Sequence, residues 1–230
     1  MRELVIGDIH GCIRSFQKLL EVVAPQESDT LVFLGDYVDR GPDSYGVIET
    51  IIGLNSKCTV VALRGNHEQM LLQALEDREA YKSWCIYGGR ETMESYAKRG
   101  HGWGPHALPK SHDTFLRDQL LDYWETDQHI FIHASLNPEL DMNEQPEWLL
   151  RWEPFHDPTR HKSGKQIICG HTSQRSGVPA LFDGGLCIDT YIYGGGWLTC
   201  YDTSAQTFIQ TNERGEKRSF DVERLKSARA

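Results

Sequence analysis

The sequence has no Cys-x-x-Cys pair. Its cysteines, Cys12, Cys58, Cys85, Cys169, Cys187 and Cys200, are scattered, which argues against a zinc knuckle or a dithiol redox motif. Reduced thiols fit the cytoplasm, the expected location. Positive charge is also short: 24 Lys and Arg stand against 33 Asp and Glu, a formal net charge of −9, with no dense basic run. A long contact with a nucleic-acid backbone rests on many cations neutralising phosphates, so no nucleic-acid partner is expected. No stretch approaches the roughly 20 apolar residues of a membrane span, and the first strand signal, at Glu3, leaves no room for a signal peptide. No membrane partner is expected either. Internal repeats and low-complexity tracts are missing. At 230 residues the chain can bury one large core, and a single, monomeric domain over residues 1–230 is the expectation.

What is present is a set of three glycine-flanked clusters: GDIHG at Gly7–Gly11, GDYVDRG at Gly35–Gly41 and RGNHE at Arg64–Glu68. Each follows a short apolar run with strand character, Glu3–Ile6, Thr30–Leu34 and Thr59–Leu63. Successive clusters lie about 30 residues apart, one βαβ repeat, which places the loops side by side at the carboxyl ends of neighbouring parallel strands. Ile13, Phe16, Leu19, Leu20 and Val23 recur at helical spacing before Pro25, and Val47, Ile48, Ile51, Ile52 and Leu54 repeat the pattern after Pro42 and Asp43. Met70, Leu71, Leu72 and Leu75 follow the third cluster. This β-α-β-α-β-α order predicts an α/β fold with a parallel sheet.

Tyr81–Gln119 reads as helices around a surface loop at Gly100–Pro109. Strand signals return at Gln128–Ile132, Gln166–Cys169, Leu186–Ile188 and Leu198–Tyr201. No helical pattern precedes the last of these, which predicts a mostly antiparallel second sheet. Asn137–Lys165 is Pro-rich and charged and reads as a long loop.

Asp8 and His10 stand two apart between glycines, so both can reach one ion without helical geometry. Taken alone, the cluster reads equally well as a turn with a capping Asp and an exposed His. Asp36 directly follows a strand, and its two oxygens could bridge to a second ion. His133 follows HIFI and His171 follows IICG; either alone suits a hydrogen-bonded core histidine. Together with the Asn66 amide oxygen, the two imidazoles complete a second cation site beside the first. His101, His106 and His112 lack strand-end placement and read as a solvated loop. Trp148 and Trp152 read as core or rim packing.

GDIHG, GDYVDRG, RGNHE, the HAS after one strand and the GHT after another, in this order and spacing, resemble the metal-dependent phosphoprotein phosphatases of the calcineurin-like metallophosphoesterases. GGRETMESYA and the compact length resemble the bacterial branch of that family. The resemblance implies a sandwich of two mixed β-sheets flanked by helices, and a centre of two divalent ions, manganese with iron or zinc as alternatives. It makes Asp8 and His10 ligands of one ion, Asp36 the bridge, and Asn66, His133 and His171 ligands of the other. The two ions would lower the pKa of a bridging water for in-line attack on phosphorus. His67 matches the family's general acid, oriented by Asp39, and Arg40 its phosphate-binding arginine. For the family's second arginine, Arg151 in WLLRWEPF is preferred to Arg160 in the polar HDPTRH stretch. Tyr191 and Tyr193, before Gly194–Gly196, stand where the family has a flexible loop at the site.

The leading expectation is a protein serine/threonine phosphatase acting on phosphorylated protein or small phosphoesters. The alternative is a hydrolase of dinucleoside polyphosphates such as diadenosine tetraphosphate. Asp39 in VDRG and Glu68 in GNHE tilt towards the phosphatase, because symmetrically cleaving dinucleotide hydrolases resemble VARG and GNHD there; asymmetrically cleaving ones share more of the pattern. A non-catalytic phosphate-binding scaffold would have lost a ligand or the acid, and none is missing.

Overall fold

The computed structural model describes residues 2–155 and 159–227. Strands β1 (Glu3–Ile6), β2 (Thr30–Phe33) and β3 (Thr59–Ala62) pair in parallel in the order β1-β2-β3. Helices α1 (Ile13–Val23), α2 (Ser44–Leu54) and α3 (Asn66–Ala74) follow them in turn. Every residue of β2 is buried, as its unbroken apolar run requires of a central strand covered on both faces. Asp43 caps α2 by accepting from the Gly46 N–H at 2.9 Å. At the far end of α1, Ala24 turns left-handed at φ 45° before Pro25.

A second sheet has the order β4-β5-β6-β8-β7, from β4 (Tyr123–Glu125), β5 (His129–Ile132), β6 (Gln166–Cys169), β7 (Ala180–Phe182) and β8 (Gly185–Cys187). Its centre, β5-β6-β8, is parallel, and only the edge strands run antiparallel. The expectation of a mostly antiparallel sheet fails because these crossovers are built from loops and short helices, which carry no amphipathic period. The strand expected last in that sheet, β9 (Leu198–Asp202), instead pairs antiparallel with β1, and β10 (Thr207–Thr211) and β11 (Lys217–Asp221) extend the first sheet. Between Arg78 and Gln119 the chain is helical around turns, with α4 (Arg78–Trp84), α5 (Arg90–Lys98) and α6 (Lys110–Thr114). The segment read as a long loop contains α7 (Glu147–Trp152), and part of it, residues 156–158, lies outside the described residues. A last helix, α8 (Val222–Ser227), follows β11.

The period of two along each strand divides the core into layers. Leu4, Ile6, Leu31 and Phe33 face α1 and α2. Val5 and Val32 point the other way and meet Phe131, Ile168 and Leu186 between the sheets. Ile130, Ile132 and Ile167 pack outward beneath Leu150 of α7. Each such buried Leu, Ile or Phe contributes about 1.5–3 kcal/mol relative to exposure. Among the described residues no helix is long and apolar enough to cross a membrane.

Candidate metal centre

Face-to-face packing brings the carboxyl ends of β1, β2, β3, β5 and β6 to one edge of the sandwich, and the chemistry-bearing loops begin there. The loops are tied by their backbones: the Ile9 and His10 N–H groups donate to Asp36 O, Gly11 N–H to Tyr37 O, and Gly170 N–H to His133 O, all at 2.8–3.0 Å. His10, Asp36, Asp39, Arg40 and His171 all take positive φ, between 47° and 72°. Such conformations cost about 1–3 kcal/mol each and persist where the surroundings over-determine them. Gly35 also lies there, at φ 106°, and an added Cβ would meet Gly65 N at 2.6 Å. At Gly170 a Cβ would sit 2.1 Å from Asp8 Oδ1, so only glycine lets that loop close on the carboxylate.

Hydrogen bonds assign the imidazole faces. His133 Nδ1 lies 2.8 Å from Leu34 O, His171 Nε2 3.0 Å from Trp152 O and His10 Nδ1 3.0 Å from Val38 O. Each of those nitrogens must carry the proton, because a carbonyl only accepts. The opposite nitrogens therefore turn lone pairs inward. His133 Nε2 and His171 Nδ1 stand 3.2 Å apart, each 3.2 Å from Asn66 Oδ1, and His133 Nε2 is 3.4 Å from Asp36 Oδ1. A buried cluster of acceptors alone is repulsive. Inverting the Asn66 amide would turn its nitrogen towards His133, His171 and both Asp36 oxygens, but two amide hydrogens cannot serve four acceptor atoms. A divalent cation can be shared by all of them, so these residues fit a metal.

Among the described residues two groups could hold an ion: His10, Asp36 and His67, and Asp36, His133 and His171, each with ligand atoms within 4.8 Å of one another. Asp36 belongs to both. Asp8 is buried beside them and accepts from the His171 N–H at 3.1 Å. Burial, and then the carboxylates of Asp189 and Asp36, hold the Asp8 carboxyl well above its ordinary range. Burial would raise Asp36 too, but the imidazoles of His133, His67, His10 and His171 outweigh it and hold that carboxyl low. Burial lowers His10 strongly and, with the neighbouring His133, brings His171 down to about 4, so both imidazoles are neutral and able to ligate near neutral pH.

His67 is arranged differently. Its Nδ1 lies 2.7 Å from Asp39 Oδ2, leaving Nε2 directed towards Asp36 Oδ2, 4.0 Å away. Burial works against its charged form, but Asp36 and Asp39 prevail and raise its pKa. Asp39 is itself held: Trp84 Nε1 donates to both carboxylate oxygens at 2.8–3.0 Å, and Thr92 Oγ1 donates to Oδ1 at 2.7 Å. Arg40 Nη1 donates to His10 Nε2 at 2.9 Å, with its guanidinium 4.3 Å from the centre of the Tyr193 ring.

Arg151 is buried on α7, its guanidinium bonded to Asp122 and to Glu147. Arg160 lies elsewhere, exposed beside Asp183. Trp152 and Trp148 are exposed, at 38% and 56%, so neither is core packing. His112 corrects the reading of a solvated loop: it is fully buried between the Tyr96 hydroxyl and Glu49, because α6 folds it under α2 and α5.

Sequence reasoning used Glu68 only to weigh substrate classes, giving it no place in the site, and missed Trp84, Thr92 and Asp189. Glu68 is buried and accepts from the Gly65, Asp36 and Tyr37 N–H groups at 2.7–2.9 Å, fastening the second cluster to the third. Burial and Asp36 bring its carboxyl up to about 7. Its place at the start of α3, three after Gly65, is a capping signal that could have revealed it. Trp84 and Thr92 carry no such signal.

The calcineurin-like phosphoesterase family matches residues 1–184, and the chain belongs to it. Serine/threonine-protein phosphatase 1 of Salmonella typhimurium is 42% identical over 86 residues, 37% of this chain and 38% of that protein. A symmetrical bis(5'-nucleosyl)-tetraphosphatase of Legionella pneumophila is 32% identical over 68% of this chain and 55% of the relative. The chain thus spans about half or less of the length of these relatives. An asymmetrical bis(5'-nucleosyl)-tetraphosphatase of a Geobacillus species is 27% identical over 86% of this chain and 88% of its own length. The crystal structure of a putative diadenosine tetraphosphatase shares the fold, with TM-score 0.66, 21% identity and coverage of 95% of this chain and 92% of the other.

Proposed function

We propose that the chain hydrolyses dinucleoside polyphosphates. One observation carries this reading: the asymmetrical tetraphosphatase aligns with 86% of this chain and 88% of its own length, so its resemblance extends well beyond the motif clusters. The serine/threonine phosphatase becomes the second reading, favoured by the 42% identity over 86 residues and by Asp39 and Glu68 within VDRG and GNHE. The chain is proposed as one folding unit, since β9 from its carboxyl-terminal part pairs with β1.

In either reading Asp8, His10, Asp36, Asn66, His133 and His171 would hold two divalent ions, Asp8 and His10 one, Asn66, His133 and His171 the other, with Asp36 common to both. When bound, two divalent cations, manganese by preference, supply an activated water and neutralise phosphate charge. His67 then carries a proton on Nε2 towards the departing oxygen, while Asp39 fixes its ring through Nδ1. Arg40 presents its planar fork to phosphate oxygens, and Arg151 is the second arginine proposed to bind them. The test is side-by-side turnover of diadenosine tetraphosphate and of phosphoserine, phosphothreonine and phosphotyrosine peptides, with manganese, zinc, iron and magnesium. The dinucleotide is expected to show the higher kcat/KM; a peptide preferred with every metal would reverse the two readings.

A further inference from the structure

Arg40 is one end of a ladder of rings and cations whose other end the site leaves unused. Arg40 stands over Tyr193, and Tyr193 meets Tyr191 edge to face with centroids 4.8 Å apart. At the other end the Arg175 guanidinium lies 5.4 Å from the centre of the Tyr191 ring. The platform is anchored: the Tyr191 N–H donates to Asp189 Oδ1 at 3.0 Å, and its backbone bridges to Trp197. Asp189 in turn is buried and accepts from the Ser173 hydroxyl at 2.5 Å, which holds the base of the ladder. Arg175 is exposed, and no ion pair engages it or Arg40 among the described residues. Arg40 already gives Nη1 to His10 Nε2, and an arginine stacked on a ring keeps its remaining N–H edge for phosphate oxygens.

We propose that Arg175, set on Tyr191 and Tyr193, forms a second anionic subsite that takes the phosphates of a polyphosphate chain remote from the phosphorus under attack. Its two arginines stand on different rings, so a chain of phosphates engages both where a single phosphate engages one. This rests on the dinucleoside polyphosphate reading for its biological substrate, but the binding chemistry is testable without it.

The test is inhibition of aryl phosphate hydrolysis by orthophosphate and by tripolyphosphate, with manganese in excess of both. The wild-type enzyme is expected to bind tripolyphosphate more tightly, and Arg175→Ala to reduce that preference about tenfold, the scale of one charge-assisted hydrogen bond. Arg175→Lys should recover part of it, and Arg224→Ala, removing a charge on α8, should leave the preference as in wild type. An unaltered preference in Arg175→Ala, an equal loss in Arg224→Ala, or no preference in wild type would each overturn the subsite. If wild type fails to cleave diadenosine tetraphosphate, the proposed function falls, and the inhibitor ratio still decides the subsite.

Discussion

The floor of the centre and the residues around its rim are built on different principles. On the floor, Asp8, Asp36 and His133 are buried, each within three residues of a strand end, and backbone hydrogen bonds lock their loops together. Along the rim, Trp152, Tyr193 and Arg175 come from a short helix, a 3-10 turn and a loop and are half-buried or exposed. Their ties are ring stacking and side-chain bonds, as from Trp152 Nε1 to Gln69 Oε1 at 2.9 Å. Backbone geometry therefore fixes the floor, whereas the rim is held by side-chain contacts.

If the floor acts as one unit, removing any ligand disables all of it. His133→Ala is expected to lower kcat/KM by more than about 100-fold, since even residues that only orient metal ligands cost about 10–100-fold. Elemental analysis should show lost metal, and chelation of the wild type should reproduce the defect; an active His133→Ala enzyme would break the comparison. His67→Ala should cost about 10²- to 10⁴-fold on alkyl phosphates and much less on aryl phosphates, whose leaving groups need no proton. Equal losses on both would remove His67 from the acid role.

Thr92→Val tests the layer beneath. It removes one donor from the buried Asp39 carboxylate, with an expected stability cost of about 1–3 kcal/mol and a fall of several degrees in Tm by calorimetry. An unchanged Tm would mean that Asp39 does not depend on this bond. Trp152→Ala, on the rim, should change stability by no more than about 0.5 kcal/mol; a larger drop in Tm would show that the rim shares in the core.

The difference between floor and rim also explains what was legible in advance. Gly7–Gly11, Gly35–Gly41 and Arg64–Glu68 follow strands with clear apolar patterns, so their convergence could be read from spacing, and His133 and His171 were found by the same rule. Trp84 and Thr92 lie in helical segments far along the chain from Asp39, and no local pattern links them to it. His112 was misread for a similar reason, since only the packing of α6 against α2 and α5 hides it.

By itself, then, the sequence determined the parallel half of the first sheet, the strand-end loops and the residue types that meet there, because strand and helix periods are local properties of the chain. Tertiary structure alone decided that β9 joins β1, that Asp36 stands within reach of four imidazoles, and that Arg175 reaches Arg40 through two tyrosines. Those relations depend on how separate segments pack, and packing is set by shape and burial across the whole fold, which no short stretch of sequence records.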